Sequence, residues 1–207
     1  MLSNLLNEVS RNAAVVCDTV EPFANFDVLQ YMGTWYAIAH TKNEPFRKPG
    51  STCVTAQYSN FDAETNKFIV FNSGQNESFN ARDGIFGTAT QYDDEPAGWV
   101  EVSFSGKDQP GVLDGVNYQV FDTDYTSYAL VYNCDYRESE GDNFPFLFIL
   151  ARTPTLPQDT LDSLVETCIA TLPNYDFTQL EYDVQDETCV YPPDSIVTPT
   201  APTSSTI

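Results

Sequence analysis

Residues 25–36 read Asn-Phe-Asp-Val-Leu-Gln-Tyr-Met-Gly-Thr-Trp-Tyr, and this stretch decides how the fold begins. It predicts a short helical turn that runs into a β-type segment over Thr34–Ala39. Gly33 stands between the two, where a glycine permits the bend that carries the turn into the strand. A sheet that starts in this way needs further strands in order to bury one of its faces.

Seven more β-type runs follow the first, and turn residues separate each from the next. Within one of them, apolar residues at positions 100, 102 and 104 alternate with Glu101 and Ser103. Such alternation is typical of an antiparallel sheet with one buried and one wet face. Eight strands in sequence predict an up-and-down barrel or a sandwich, and composition does not choose between them. The seven runs are Thr52–Tyr58, Lys67–Asn72, Gly84–Tyr92, Trp99–Ser105, Tyr118–Asp122, Tyr128–Cys134 and Phe146–Ala151.

One strong helix pattern follows the strands over residues 158–172, and Pro173 ends it. Its apolar side chains recur at i, i+3, i+4 and i+7, so we expect them to pack on the outside of the sheet. A last short extended run, Phe177–Val184, precedes Cys189. The shared helix face consists of Leu161, Leu164, Val165 and Cys168.

The chain divides into three parts along its length. We predict a loose N-terminal arm over residues 1–24 and a single folded domain over residues 25–190. Residues 191–207 form a tail rich in Pro, Ser and Thr with little to bury, which predicts disorder. Glu8 and Arg11 interrupt the apolar stretch at the start, so the first residues do not read as a signal peptide.

Charge and hydropathy argue against several classes of partner. The net charge of −21, from 30 acidic and 9 basic residues, repels nucleic acid and anionic lipid surfaces. No run of roughly 18 apolar residues occurs, so we expect no insertion into a membrane. The chain has 12 tyrosines and 14 phenylalanines, enough to line the inner wall of a barrel with large side chains.

Five cysteines are spread over the chain without a CxxC pair, which argues against a metal site. Their wide spacing in an acidic, tyrosine-rich chain favours two long-range disulfides plus one odd thiol. Disulfides of this kind indicate an oxidising compartment and therefore a secreted, extracellular protein. Asn76-Glu77-Ser78 is an acceptor sequence for N-glycosylation at Asn76, which fits secretion.

Three motifs together resemble those of the lipocalin family. Asn25–Tyr36 looks like the first lipocalin motif, which contains Gly-x-Trp at its end. Thr123–Cys134 is similar to the second, which reads Thr-Asp-Tyr-x-x-Tyr, and Leu150–Pro157 matches the third. All three occur in the family's order and spacing, and the resemblance covers roughly residues 17–190. The motifs are most similar to those of the apolipoprotein D, crustacyanin and bilin-binding branch.

The resemblance implies an all-β fold: an eight-stranded up-and-down antiparallel β-barrel with one C-terminal α-helix. It also implies roles for the residues at the closed end of the barrel. Trp35 would plug that end, with the Arg152 guanidinium over its indole in a contact worth about 0.5–2 kcal/mol. Asp124 and Tyr125 would cap the same end by hydrogen bonds, close to Gly33.

The disulfide pairing is likewise implied by the family. Cys17 would pair with Cys134 and pin the arm to the barrel, and Cys53 would pair with Cys189 and pin the C-terminal segment. Each disulfide would close a long loop. On the chain-entropy model, each would raise the free energy of unfolding by about 4–5 kcal/mol. Cys168 is left over as a free, buried thiol on the helix face that points to the barrel.

A ligand pocket inside the barrel is the site that this fold implies. Alternation along the strands, with Trp35 placed inside, assigns the inward positions. They are Ala37, Ala39, Val54, Ala56, Tyr58, Phe68, Val70, Asn72, Val100, Val102, Phe104, Tyr118, Val120, Phe146, Phe148 and Leu150. Among these, the resemblance points to Tyr58, Asn72, Phe146, Phe148 and Leu150 as lining the pocket.

The chemistry of the expected pocket favours a neutral hydrophobic chromophore. Aromatic walls suit an apolar, flat or conjugated guest, and no lysine or arginine is placed inside to pair with a carboxylate. This ranks a carotenoid first, then biliverdin or another bilin, then a steroid or fatty acid, held for coloration, storage or transport. The first long loop contains three basic residues, Lys42, Arg47 and Lys48. A ligand carboxylate at the mouth of the barrel would form ion pairs with them.

Two other functions stay open beside that of a non-catalytic binding protein. An enzyme would need a nucleophile or an acid/base pair inside the barrel. Cys53 would serve only if unpaired, and His40, the sole histidine, has no evident partner and is expected in the mouth loop or on the surface. A scavenger of amines would need inward carboxylates, and the register places none there unless Glu77 or Asp83 is misassigned.

The oligomeric state is not readable from the sequence. A homo-oligomer, or a hetero-oligomer with another lipocalin subunit, would meet through aromatic side chains at the open end of the barrel. The net charge opposes self-association at low salt.

Overall fold

The computed structural model describes residues 14–42, 44, 50–76, 81–104, 115–137 and 141–193, with the backbone alone at residues 81, 136 and 137. The start of the predicted arm and the tail from residue 194 lie outside these ranges. The helices are α1 (Val28–Tyr31) and α2 (Gln158–Thr171), and a 3₁₀ helix covers Phe177–Gln179. The strands are β1 (Gly33–Thr41), β2 (Ser51–Asp62), β3 (Lys67–Asn76), β4 (Ala81–Gln91), β5 (Trp99–Phe104), β6 (Tyr118–Thr123), β7 (Tyr128–Arg137), β8 (Asp142–Ala151) and β9 (Leu180–Tyr182).

The strands β1 to β8 form a closed antiparallel barrel. Each strand pairs with the next along the chain, and β8 returns to pair with β1. Closure confirms the predicted up-and-down barrel and excludes the sandwich. Strands β3, β7 and β8 run further than predicted, because ladder partners hold polar residues such as Gln75 and Asn143 in the sheet.

The barrel wall carries apolar side chains on both of its faces. Trp35, Tyr58 and Val70 belong to a buried cluster inside the barrel. Leu147 of β8 belongs to a second cluster outside the barrel, where it is buried together with Leu164 of α2. The helix therefore packs on the outside of the sheet as predicted, and it ends at residue 171, one residue earlier than expected.

A β-bulge in β1 reverses the side-chain alternation and corrects one inward assignment. Ala37 is opposite Leu150 of β8, but Ala39 is opposite Ile149, so the register shifts at Ile38. Ile38 and Ala39 both belong to the outer cluster. The prediction that Ala39 faces inward was wrong, because one inserted residue moves every following side chain to the other face.

The C-terminal segment completes the wall where β1 and β2 separate. The ladder between these two strands ends at Tyr36 opposite Thr55. Beyond that point β9 occupies the edge of β1, with Ala39 opposite Tyr182. The predicted extended run over residues 177–184 therefore begins as a 3₁₀ helix and continues as a strand.

Gln185 bridges the two separated strands. Its side-chain amide nitrogen donates to the carbonyl oxygens of Ala37 at 2.9 Å and Val54 at 2.8 Å. The backbone N–H of Cys53 on β2 donates to the carbonyl of Val184 at 2.8 Å. Residues 180–193, here called the C-terminal wedge, thus stand between β1 and β2 and cover the adjoining outer surface.

Both disulfides pair as the resemblance implied. Cys17 is bonded to Cys134, which ties the arm to β7 across 117 residues of sequence. Cys53 is bonded to Cys189, which ties the C-terminal wedge to β2 across 136 residues. Cys168 is a free thiol on the buried face of α2, and burial raises its pKa to about 12.

Candidate ligand-binding site

The closed end of the barrel is built around Trp35 and Arg152. The Trp35 ring is fully buried, and the guanidinium carbon of Arg152 lies 3.6 Å from the ring centroid. Arg152 also donates to the carbonyl oxygens of Tyr125 at 2.8 Å and Thr34 at 3.0 Å. The indole N–H of Trp35 donates to the carbonyl of Tyr31 at 2.9 Å. These contacts join α1, β1 and the end of β8 into one seal.

Asp124 and Tyr125 form the turn that completes this seal. One carboxylate oxygen of Asp124 accepts hydrogen bonds from three consecutive backbone N–H groups, those of residues 126–128. The hydroxyl of Tyr125 accepts from the backbone N–H of Asp27 at 2.8 Å. Gly33 has φ +101°, a conformation that favours glycine, and it lies beside Arg152. The five motif residues thus hold the closed end together.

Three tyrosines of the interior, Tyr31 and Tyr58 buried and Tyr118 partly buried, form a chain of hydroxyl groups above the seal. The hydroxyl of Tyr118 lies 2.8 Å from that of Tyr31 and 2.9 Å from that of Tyr58. Burial raises the pKa of Tyr58 to about 12 and raises those of Tyr31 and Tyr118 well above their usual range. All three groups therefore stay neutral at physiological pH and keep their protons.

A proton count shows what this tyrosine chain offers to a ligand. Three neutral hydroxyls carry three protons, and the two hydrogen bonds between them use two. The third proton remains as a donor for an oxygen atom of a guest. Alternation along the strands predicted Tyr58 and Tyr118 in the interior but not Tyr31, which lies on the helical turn of the first motif.

The predicted lining residues occupy the inner wall in most cases. The residues buried in the inner cluster are Tyr58, Phe68, Val70, Phe104 and Leu150. Those that pack against it while partly exposed are Val102, Tyr118 and Phe148. Phe146 alternates with the outward Leu147 and is buried, with its ring 4.8 Å from that of Phe144. Their roles in binding a ligand stay predictions.

Asn72 adds a polar group to this apolar wall. It shares the inward side of β3 with Val70 and lies opposite Ala56 and Ile85. Its side-chain oxygen is buried without a hydrogen-bond partner. Because a buried polar atom without a partner costs free energy, this amide is a candidate contact for a ligand.

Several residues of the inner wall were not among the predicted inward positions. Ile85 and Ala89 of β4 and Val131 of β7 belong to or contact the inner cluster. The more important omission is Asn133 and Asp135, the next two inward positions of β7 after Val131. Both are buried, at 7% and 5% exposure. The expectation that no carboxylate points inward was therefore wrong, because β7 continues three residues beyond its predicted end at Cys134, or about 10 Å, and Asp135 is the first of these residues.

Each Lys or Arg side chain that the structure describes lies outside the inner wall. Arg82 contacts the C-terminal wedge, Arg152 lies in the seal, and Lys67 is exposed at the end of β3. Lys42 donates to the carbonyl of Thr178 at 3.0 Å on the outside. Arg47, Lys48 and the sequon residues Glu77 and Ser78 lie outside the described residues, so glycosylation of Asn76 stays a prediction.

His40 is buried and has acidic partners, contrary to the expectation of a loop or surface residue. Its Nδ1 lies 2.9 Å from the carboxylate of Asp183, and its Nε2 lies 3.9 Å from Glu181. The sequence could not show these contacts, because they join β1 to β9 across most of the chain. The imidazole is held in the junction between the barrel and the C-terminal wedge.

Neither a membrane span nor a metal site is found in the described part of the chain. None of the helices there is long and apolar enough to cross a membrane. The described histidine, cysteine, aspartate and glutamate side chains form no group of three or more that would hold a metal ion.

Comparisons with known proteins agree with this architecture. The family model of the lipocalin-like domain matches residues 26–185. The outer membrane lipoprotein Blc of Vibrio cholerae is 29% identical over 72% of this chain and 78% of its own length. Apolipoprotein D of Rattus norvegicus is 30% identical over 68% of each chain. The structure of lobster apocrustacyanin A1 superposes with a TM-score of 0.67 at 22% identity, over 85% of this chain and 92% of that one.

Proposed function

Because the chain belongs to the lipocalin family, we propose that it is a non-catalytic carrier that holds one small hydrophobic ligand inside its barrel. The observation that supports this most is an aromatic and aliphatic interior closed at one end by the seal of Trp35 and Arg152. An eight-stranded barrel has room for its own side chains and about one small ligand. The tyrosine chain and Asn72 supply the few polar groups by which such a site orients a guest.

The proposed guest is a neutral, elongated and conjugated molecule, with a carotenoid favoured. The aromatic side chains along β3, β5 and β8 offer flat surfaces for a conjugated chain. The described lysines and arginines lie outside the inner wall, so none of them would pair with a carboxylate deep in the barrel. The spare proton of the tyrosine chain suits a keto or hydroxyl oxygen. The alternatives are biliverdin or another bilin, and then a steroid or fatty acid.

The described side chains that could support catalysis are engaged elsewhere, which favours a carrier over an enzyme. Cys53 is in a disulfide, and the Cys168 thiol is buried under α2 with a pKa of about 12. His40 lies opposite Phe148 in the β1–β8 ladder, and its Nδ1 is 2.9 Å from the carboxylate of Asp183. A nucleophile needs access to a substrate and a suitable pKa, and the two cysteines lack one or both.

We propose that the protein works outside the cell. Two disulfides join distant parts of the chain, and such bonds persist in oxidising compartments. The strongly acidic surface is compatible with a protein that stays dissolved at high concentration in an extracellular fluid.

Absorption spectroscopy of the protein purified from its natural source tests the proposed function. We expect a visible band that shifts or disappears on denaturation, together with a polyene mass in the organic extract. A bilin mass would keep the carrier function and replace the favoured guest. A protein that carries no ligand and binds no apolar probe would contradict the carrier function itself.

A further inference from the structure

Gly87 is an inward position of β4 that carries no side chain. Ala89 on the same strand belongs to the inner cluster and Ile85 packs against it, so Gly87 between them faces inward as well. The φ angle of Gly87 lies outside the left-handed region, so its backbone conformation does not require a glycine. The reason for a glycine at this position therefore lies in the space around it.

Gly87 belongs to a row of cross-strand partners on the inner wall. The row crosses β2, β3, β4 and β5 as Tyr58, Val70, Gly87 and Phe104. The three partners of Gly87 in this row all belong to the inner cluster, and the hydroxyl of Tyr58 is part of the tyrosine chain. Because protein interiors are close-packed, the place that Gly87 leaves in the row is taken by a neighbouring side chain.

The ring of Phe104 takes this place. A Cβ atom at residue 87 would lie 2.7 Å from Cδ1 and 3.1 Å from Cε1 of that ring, and 2.6 Å from the carbonyl oxygen of Ser103. One edge of the ring therefore occupies the position of the missing side chain. An aromatic side chain that covers a cross-strand glycine is a known way to complete the face of a sheet.

The position of this ring affects the width of the barrel interior. A ring held against Gly87 lies in the wall and leaves the space nearer the barrel axis to a ligand. A side chain at residue 87 would displace the ring, because the two cannot occupy the same place. Since Phe104 is itself on the inner face, the displaced ring would stay within the barrel and take up part of that space.

We infer that Gly87 positions the Phe104 ring and that this pair determines the specificity of the barrel for broad ligands. With a glycine at residue 87, the interior beside the tyrosine chain accepts a fused-ring or ring-bearing apolar molecule. With a larger residue it would accept only a straight chain. This inference rests on the proposed carrier function and specifies the shape of the ligand that the carrier takes.

Two neutral alcohols of different width test this inference. 1-Pyrenemethanol is a broad molecule of fused aromatic rings, whereas all-trans-octadecatetraen-1-ol is a straight polyene. Quenching of tryptophan fluorescence gives the Kd of each, and we expect the unmodified protein to bind both. In Gly87→Ala the Kd of 1-pyrenemethanol should rise about tenfold or more, since one methyl group in an apolar pocket discriminates by such factors. The Kd of the straight polyene should change less than about threefold, because a narrow chain needs less room.

Gly84→Ala is the matched control on the same strand. Gly84 is exposed on the outer side of β4, where a Cβ atom would lie 2.5 Å from the ring of Phe71. The variant therefore adds the same methyl group against an aromatic ring, but outside the barrel, and it should keep both Kd values. If it raises the Kd of 1-pyrenemethanol as much as Gly87→Ala does, distortion of β4 rather than displacement of the Phe104 ring explains the loss, and the inference is overturned.

Two further variants test the role of the ring itself. Gly87→Ala/Phe104→Leu replaces the ring by a shorter side chain and should bring the Kd of 1-pyrenemethanol back to within about threefold of its value in the unmodified protein. If Gly87→Ala does not fold, Phe104→Trp places a larger ring over Gly87 and should raise the same Kd about tenfold.

The remaining outcomes separate this inference from the carrier function. An unchanged ratio of the two Kd values in folded Gly87→Ala, or in Phe104→Trp where that variant replaces it, overturns the inference while the carrier function stands. An equal rise of both Kd values overturns it too, because the pocket would then have lost its fit for any guest. If the unmodified protein binds the straight polyene but not 1-pyrenemethanol, the inference alone is wrong. If it binds neither, the inference and the carrier function are both overturned.

Discussion

Two regions cover the outside of the barrel, and they do so by different chemistry. Helix α2 packs on the barrel with apolar side chains, of which Leu164 and Cys168 are buried. The C-terminal wedge is held by one disulfide, by hydrogen bonds and by the edge-to-face contact of Tyr191 with Tyr36. Arg82 of β4 donates to the carbonyl of Val190, and Gln57 of β2 donates to that of Pro193, both at 3.0 Å. The first cover relies on apolar packing, whereas the second adds many hydrogen bonds to a smaller apolar contact.

Arg82 shows how the polar cover works. Its guanidinium donates to the carbonyl of Cys53 at 3.1 Å and to the hydroxyls of Thr55 at 2.7 Å and Ser73 at 3.0 Å. Burial lowers the pKa of Arg82, yet an arginine stays charged at physiological pH. A polar cover of this kind depends on every partner being in place, whereas an apolar cover tolerates changes of detail.

The largest expected effect comes from removing the covalent tie of the polar cover. In Cys53→Ser/Cys189→Ser the free energy of unfolding should fall by about 4–5 kcal/mol, because the link closes a loop of more than a hundred residues. Urea unfolding measures this loss. Hydrogen exchange should also show that β9 loses protection while β7 keeps it. Uniform loss of protection in both strands would mean that the C-terminal wedge is not an independent cover.

The apolar cover should respond to truncation of its buried side chain. Leu164→Ala leaves a cavity between α2 and the sheet and should lower the free energy of unfolding by about 2–4 kcal/mol. Ile169→Ala on the same helix is the control, since this side chain is 51% exposed. Its loss should stay within about 0.5 kcal/mol. Equal losses in the two variants would show that burial under α2 does not stabilise the barrel.

The smallest effect is expected at the centre of the polar cover. Arg82→Met removes the donors to Thr55, Ser73 and Val190 and should lower the free energy of unfolding by about 1–3 kcal/mol. Lys67→Met changes the net charge equally at an exposed position and should have an effect within about 0.5 kcal/mol. Arg82→Lys should restore only part of the lost free energy of unfolding, because an ammonium group cannot donate to these partners in the planar geometry of a guanidinium. Full recovery would mean that charge alone matters at this position.

The two covers also differ in how far the sequence predicted them. The apolar face of α2 follows a period of 3.6 residues, so its position and its packing on the sheet were predictable from local pattern. The contacts of Arg82 and Gln185 join residues far apart in the chain and follow no periodicity. The local pattern therefore predicted the helix and an extended run in the C-terminal wedge, but not the position of the wedge between β1 and β2.

The interior shows the same division. Tyr58, Phe68 and Val70 were placed inside correctly, because alternation holds along an uninterrupted strand. The alternation failed at Ala39, where a bulge shifts the register, and it was not extended to Asp135, because the strand continues past its apolar residues. Both errors arise from the ladder partner, which decides where a strand bends and where it ends.

The stretch from Asn25 to Tyr36 by itself determined the start of the barrel, and with the other two motifs it determined the family. Such motifs are local, because a turn, a glycine and a tryptophan are recognisable within a short stretch of sequence. Only the tertiary structure decided that β1 and β2 part after Tyr36, that the C-terminal wedge stands between them, and that Asp135 faces the interior. These features depend on which strands meet and in what register, and closure of the barrel fixes both.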